Sequence, residues 1–381
     1  MSGAGDFIVQ GWCPGALRPM MSGDGLVVRV RPNAGRLTQA QAAGIAAAAR
    51  AHGNGLIDLS ARANVQLRGV TEESHPKLIE DLRVLGLIDA DVKSEARRNL
   101  LVTPFADQQT DDLAHKLAAA LVGAPELPGK FGFAVDTGTE PVLSNISADI
   151  RLERDSTGCL ILRCDGAELG APVSEIDAPA RALELAHWFV SAGGVKEGRG
   201  RMAALIGKGK APTGPLAGTK EPAPARPEPS PGLVAQGAMV GFEFGQMEAE
   251  TLARLARLGS IRVTPWRMLL VEGLTDLPGL PGLILDPDDP LLRVRACTGS
   301  PSCVQALGAT RPIARRLAPQ MPRGAILHVS GCAKGCAHPG IANLTLIATA
   351  NGFDLVKGGT AQDSPMQTSL PEAGLDLRGL A

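Results

Sequence analysis

Four cysteines near the C-terminus, Cys297, Cys303, Cys332 and Cys336, fall into two close pairs, C-x5-C in ACTGSPSC and C-x3-C in SGCAKGC, with 28 residues between the pairs. This pattern of thiolates suits an iron–sulfur cluster. A cubane needs four thiolate ligands arriving from several directions, and two short glycine-rich loops supply them without crowding. Gly299, Gly331 and Gly335 lie in those loops. Two other readings stay open. Buried free thiols or two disulfides are one, although isolated cysteines seldom gather in Gly/Pro turns. Zinc is the other, but its structural knuckles favour C-x2-C or C-x4-C spacings, which neither pair has. His328 and His338 flank the last pair. Two imidazoles and a carboxylate commonly hold a mononuclear non-haem iron that activates oxygen; no carboxylate lies close in sequence, and a satisfied buried histidine is the alternative. Lys334, between the cysteines, would lower thiolate pKa or raise a cluster's potential by its charge, or be a solvated loop residue.

The elements that position these loops read as a duplication. GLVVRVRP, LTQAQAAGIAAAARAHG and LIDLSARANVQLRGV run strand, helix, strand, and GAMVGFEF, MEAETLARLARLG and IRVTPWRMLLVEGL repeat that order. Both copies lead into a larger segment, where RRNLLVTPFAD and LPGKFGFAVD correspond to RVRACTGSPSC and ILHVSGCAKGC. Only the second copy carries cysteines. The expected architecture is α+β: duplicated ferredoxin-like units plus two larger α+β lobes about a pseudo-twofold axis. The expected boundaries are an N-terminal ferredoxin-like unit over 1–94, a lobe without cluster over 95–207, a second unit over 233–289 and a cluster-binding lobe over 290–381. Residues 208–232, KGKAPTGPLAGTKEPAPARPEPSPG, are crowded with proline and lack apolar periodicity, so they read as an extended linker.

Composition narrows the function. Basic and acidic residues balance at 38 and 39, for a formal charge of −1, so no global field for nucleic acid or an anionic membrane exists. Tyrosine is absent and aromatics make up 3%, which argues against a base-stacking platform. The start, MSGAGDFIVQ, has no basic n-region or apolar core. No apolar run reaches the roughly 18 residues needed to span a bilayer. Cys13, Cys159 and Cys164 form no second framework, and an odd total of 7 argues against a disulfide scaffold. A reducing cytoplasmic setting is expected. GRGRMAALIGKGK does not match G-x4-G-K-[ST], and no G-x-G-x-x-G follows a strand. Electrons from a nicotinamide donor such as NADH would therefore arrive through a partner reductase or a small carrier.

The cysteine pairs, the repeated halves and ARANVQLRGV together resemble the nitrite and sulfite reductase superfamily, whose members pair a [4Fe-4S] cluster with sirohaem. Three phrases, WCPGALRPMMSGDGLVVRVRP, LPGKFGFAVD and HVSGCAKGCAHP, are most similar to its precorrin-3B synthase family. The resemblance implies nitrite/sulfite reductase-type lobes and a [4Fe-4S] cluster on Cys297, Cys303, Cys332 and Cys336. It also implies an oxygen-dependent monooxygenase of cobalamin biosynthesis, with dioxygen and the tetrapyrrole precorrin-3A as substrates, and a mononuclear iron beside them. By the same resemblance, Arg62 in R-x-x-x-Q, Arg98 in R-N and Lys130 after L-P contact the tetrapyrrole. Acetate and propionate fringes call for fixed cations, and the arginine fork suits a carboxylate. Asn64 and Gln66 alternate with Val65 and Leu67 and either line the cleft or face water. Arg267, beside Trp266 at the twin position in TPWRMLL, is a further candidate for the ring edge. Reductases carry a second lysine two residues after the first, where this chain has Gly132. A sirohaem-dependent sulfite or nitrite reductase is the alternative.

Overall fold

A computed structural model of the chain describes residues 14–138 and 140–380. The N-terminal decapeptide and Cys13 lie outside the described residues. The first unit runs β1 (Met20–Ser22), β2 (Gly25–Val30), β3 (Arg36–Leu37), α1 (Gln39–His52), β4 (Leu56–Leu59), β5 (Val65–Val70) and α2 (His75–Val84). Alternation decides its faces: Val28, Val30, Val65 and Leu67 are buried toward the helices, which sends Arg29, Gln66 and Arg68 to the opposite side. Helix α1 starts where Thr38 and Gln41 close a capping box, each side chain meeting the other's backbone N–H at 3.2 and 3.0 Å.

The first lobe follows as α3 (Val92–Arg97), β6 (Leu100–Val102), α4 (Gln108–Ala120), β7 (Phe133–Asp136), β8 (Ile150–Arg154), β9 (Leu160–Cys164), β10 (Ala171–Pro172), α5 (Ala178–Ser191) and α6 (Met202–Ile206). Residues 208–232 are extended apart from a short 3-10 turn at Gly214–Leu216 and lie along this lobe. Isolated bridges join Gly170 to Lys220 and Asp155 to Pro222 there. The second unit comprises β11 (Gly232–Val234), β12 (Gly237–Gly241), β13 (Gln246–Glu248), α7 (Ala249–Leu258), β14 (Ile261–Val263) and β15 (Met268–Glu272). The last lobe holds β16 (Val294–Ala296), α8 (Arg311–Leu317), β17 (Leu327–Ser330), β18 (Ala342–Thr349), β19 (Gly352–Gly359) and β20 (Gln367–Leu370).

Topology makes the duplication explicit. The lobe sheets run β10-β9-β8-β7-β6 and β16-β17-β18-β19-β20, each with three parallel strands followed by two antiparallel ones. The unit sheets run β1-β2-β5-β4-β13 and β11-β12-β15-β14-β3, so each unit lends one short strand to the other's sheet. Gln246 stands opposite Asp58, and Arg36 opposite Arg262. Both lent strands follow a tight turn with a left-handed residue, Ala34 (φ 49°) in one copy and Phe244 (φ 54°) in the other. Between the sheets, α1 and α7 contribute small or apolar faces, Ala42, Ile45, Ala46 and Ala49 against Ala249, Leu252, Leu255 and Ala256, to one continuous core. That shared core and the exchanged strands bind the halves over a large apolar surface, the dominant stabilising term in a fold of this kind. Among the described residues no helix is long and apolar enough to cross a membrane.

Candidate functional site

The cysteine loops leave the sheet at the carboxyl ends of two parallel strands. Cys297 and Cys303 follow β16, and Cys332 and Cys336 follow β17. In α/β sheets this edge is where ligands are held, because loops diverge from neighbouring strands there and leave a crevice. The loops are packed on each other by backbone. Leu307 N–H donates to Gly331 O at 2.7 Å, and Gly331 N–H donates to Cys297 Sγ at 3.2 Å. A Cβ on Gly331 would stand 2.7 Å from Ala306 Cβ, and one on Gly299 (φ 70°) would stand 2.6 Å from Thr310 Oγ1. Glycine is therefore what lets the loops close.

No disulfide joins the cysteines among the described residues. Burial lifts the Cys332 thiol above its usual range, the Lys334 N–H opposes that, and the nearby Cys297 and Cys303 sulfurs raise it further. Cys336 keeps an open face, yet its crowded surroundings raise it too, against the charge of Lys334 and with the other three thiols adding to the shift. Four gathered cysteines whose thiolates would repel one another suit a multi-iron group, since bound metal takes the place of their protons and offsets that repulsion. Cys164 is a buried core thiol, pushed up to about 12 by burial, and Cys159 is exposed. Among the described residues no three His, Cys, Asp or Glu side chains close into a set for a single ion. A cubane's four thiolates stand farther apart than the ligands of one ion, so the four thiols remain compatible with a cluster. The mononuclear iron expected beside it finds no ligand set among the described residues. His328 is fully buried on β17, neither ring nitrogen has a hydrogen-bond partner among the described residues, and its ring meets His338 edge to face at 5.9 Å. Burial, then His338 and Arg267, push its pKa down to about 4, so it is neutral.

The polar face of the first unit's sheet abuts the first of these loops. Ser302 O accepts from Gly23 N–H at 3.1 Å, Ser22 Oγ at 2.7 Å and Arg68 Nη2 at 3.3 Å. A Cβ on Gly23 would meet Pro301 O at 2.3 Å. Behind this contact, Arg68 grips Asp24 through two bonds of 3.0 and 2.6 Å, and Asp58 lies 3.6 Å from both Arg68 and Arg311 while accepting from Gln246 at 2.8 Å. In the twin sheet the matching face is largely apolar: Met239, Met268 and Leu270 pack with Phe105 of the lobe without cysteines, and Arg262, opposite Leu270, is its buried charge.

The expected tetrapyrrole contacts are spread unevenly. Arg62 lies in the β4–β5 turn and donates from both Nη atoms to Lys130 O at 3.2 Å; the Lys130 side chain is exposed. Those two residues are brought together. Gln66 Oε1 accepts from Arg29 at 3.1 and 2.7 Å, and Asn64 is buried at the start of β5. Arg98 is committed elsewhere: its fork meets both oxygens of Asp89 at 2.8 and 2.9 Å and its Nη1 donates to Arg31 O and Asn33. Arg267 donates to Ala337 O at 2.8 Å, inside the second cysteine loop. A cavity of about 600 Å³ opens in the first half, lined by Arg18, Arg31, Glu95, Leu127 and Gly129 among others. Gly129 adjoins Lys130; none of the residues lining the cavity belongs to the cysteine loops. Arg29, Arg68, Asp58, Arg295 and Arg311 escaped the sequence reading. Strict alternation in LVVRVRP and VQLRGV was the available signal for the first two.

Residues 18–85 match the model of the nitrite/sulfite reductase ferredoxin-like half domain. A precorrin-3B synthase of Sinorhizobium sp is 31% identical, over 97% of this chain and 86% of the relative. Ferredoxin–nitrite reductases of Synechococcus elongatus and Leptolyngbya laminosa are 25% and 24% identical, over 80% and 91% of this chain and 73% and 82% of theirs. The structure of Mycobacterium tuberculosis NirA protein superposes with a TM-score of 0.63 at 18% identity, covering 88% of this chain and 74% of that one, which is a likeness of fold.

Proposed function

The chain belongs to the precorrin-3B synthase family of the nitrite/sulfite reductase superfamily, and on that premise we propose that this oxidoreductase of cobalamin biosynthesis is an oxygen-dependent monooxygenase acting on precorrin-3A. In this reading it hydroxylates the meso carbon between rings A and D, a ring acetate closes a γ-lactone, and precorrin-3B leaves. The observation that carries the reading is the contact between the first cysteine loop and the polar sheet face of the first unit, pinned at Ser302 O by Gly23, Ser22 and Arg68. A [4Fe-4S] cluster on Cys297, Cys303, Cys332 and Cys336 would supply electrons one at a time, delivered to it by a separate reductase or carrier that draws on NADH.

The chain's own residues do the orienting. Arg62 and Lys130 stand together on one rim and meet the substrate's carboxylates by charge-assisted hydrogen bonds. One meso carbon of four must react, so a rigid rim serves selectivity more than affinity. Asn64 and Gln66, on the neighbouring strand, fix that rim: Gln66 locks Arg29, and Asn64 closes the turn that carries Arg62. Gly132 argues against the sirohaem reductase alternative. It is buried and donates to Asp149 at 2.9 Å, a Cβ there would stand 2.7 Å from Asn99 Nδ2, and the position supplies no second cation for a small anion.

Anaerobic purification followed by absorption spectroscopy tests the reading. A broad iron–sulfur shoulder is expected, with oxygen uptake on adding precorrin-3A together with NADH and an electron-delivering reductase, which supply the two electrons that a hydroxylation by dioxygen consumes. Sharp sirohaem bands, or no uptake, would sink it. Iron in excess of sulfide would add a further, mononuclear iron, and parity would remove it.

A further inference from the structure

The turns β4–β5 and β14–β15 are copies of each other. Ser60 N–H donates to Asn64 O at 3.0 Å and Thr264 N–H to Met268 O at 3.2 Å; the hydroxyls of Ser60 and Thr264 each accept from a backbone N–H two residues on, at 3.3 Å. Each turn has one left-handed residue at the same place. In the first copy it is Ala63 (φ 51°), in the second Arg267 (φ 61°). A side chain on a left-handed backbone is strained, and glycine or asparagine would avoid that.

The surroundings are cut to fit this arginine. A Cβ on Gly245 would stand 2.7 Å from Arg267 Cβ and 2.9 Å from its Cγ and Cδ, whereas its twin Gly35 has only Val102 within reach, at 3.8 Å. The guanidinium then runs inward and donates to Ala337 O, between Cys336 and His338. Burial, followed by the charge of Arg295, brings its pKa down to about 10, so it remains cationic at neutral pH; Asp58 and Cys297 pull the other way and Arg311 adds to the fall.

We infer that Arg267 is a positioning residue for the cluster, its guanidinium fixing the Cys336 loop by the bond to Ala337 O and setting a positive charge beside the thiolates, rather than a contact to the tetrapyrrole edge. This rests on the cluster assignment made above. A thiolate-bound cubane is anionic and becomes more so on reduction, so a buried cation favours the reduced state and raises the potential. The first copy has no cluster to serve, and alanine suffices there.

The test compares the full chain with Arg267→Gln and Arg267→Lys. Iron and sulfide content, the EPR spectrum of the dithionite-reduced protein, the midpoint potential from an equilibrium redox titration and the anaerobic Kd for precorrin-3A are measured on each. Arg267→Gln is expected to lower the potential and change the EPR spectrum, with substrate Kd within twofold of the unaltered protein. Arg267→Lys, which keeps charge without the fork, is expected to fall between the two in potential and serves if the glutamine variant does not fold. Unchanged potential and spectrum in the folded variants would overturn the inference, as would a tenfold weaker substrate Kd with the potential held. An unaltered protein lacking iron and sulfide would instead fail the cluster assignment itself, and the inference with it.

Discussion

Arg262 on β14 holds Asp111 on α4 through two parallel bonds of 2.9 and 2.8 Å, and the residue at its place in the other half, Asp58, faces Arg311 at the start of α8. The pseudo-twofold axis thus relates two unit-to-lobe ion pairs of reversed polarity. Arg262 also donates to Glu272 at 2.6 Å, and Glu272 accepts from Arg36 of the lent strand at 2.7 Å. One guanidinium, 5% exposed, therefore ties a lobe, a sheet and an exchanged strand. Removing one partner of a buried pair leaves the other desolvated and unmatched. Arg262→Met should cost about 3 kcal/mol in urea unfolding. Arg311→Met should cost about 1 kcal/mol, since Asp58 keeps Arg68 and Gln246. Equal losses would contradict this asymmetry.

The cluster shell makes a compositional prediction. Cys297→Ser and Cys332→Ser should each lower bound iron and sulfide together, because a cubane loses its framework when one corner ligand goes. Cys159→Ser, on an exposed turn of the first lobe, should leave both unchanged. Colorimetric iron and sulfide assays on anaerobically isolated protein settle the matter: full content in either cluster variant rejects the assigned shell.

The duplication and the cysteine pairs were legible because they are local and periodic. The exchange of β3 and β13 was not: Arg36–Leu37 and Gln246–Glu248 are too short to show a period of two, and pairing with the other copy leaves no mark in local sequence. The polar face of Arg29, Gln66 and Arg68 could be read from alternation, but its target, Ser302, lies 234 residues beyond Arg68. Arg98 shows the reverse failure. Its R-N phrase implied a substrate contact, while the side chain is spent on Asp89, nine residues back on the far side of the short helix α3.

That commitment of Arg98 separates it experimentally from Arg62. Arg98→Ala should lower stability by about 2 kcal/mol, leaving Asp89 partly buried without its cation, and barely change substrate affinity. Arg62→Ala should do the opposite, sparing stability and weakening precorrin-3A binding by about 1 kcal/mol or more, the worth of a charged hydrogen bond. Thermal unfolding and anaerobic ligand titration on both variants give the answer. If Arg98→Ala alone weakens binding, the rim lies nearer Asp89 than Arg62.

Asp136 predicts a pH dependence. It ends β7, where the lobe without cysteines has its counterpart of the second cysteine loop, and it is 3% exposed. Its Oδ2 accepts from Val142 and Leu143 N–H at 2.7 and 2.6 Å, whereas Oδ1 is buried with no partner among the described residues. Burial, with the charge of Glu153 adding to it, outweighs those two donors and the nearby Thr103 hydroxyl and raises its pKa to about 6. The folded chain then binds a proton more readily than the unfolded one, whose aspartate ionises near 3.8. Stability contributed by the protonated form is fully present below the unfolded value and is lost as pH rises toward 6, amounting to about 3 kcal/mol by neutral pH. Asp136→Asn keeps an oxygen for both N–H donors and cannot ionise. It should match the unaltered protein near pH 4, exceed its stability at pH 7, and flatten the slope between those values. Urea unfolding across that range tests this, and an asparagine variant that keeps the slope would assign it to other groups.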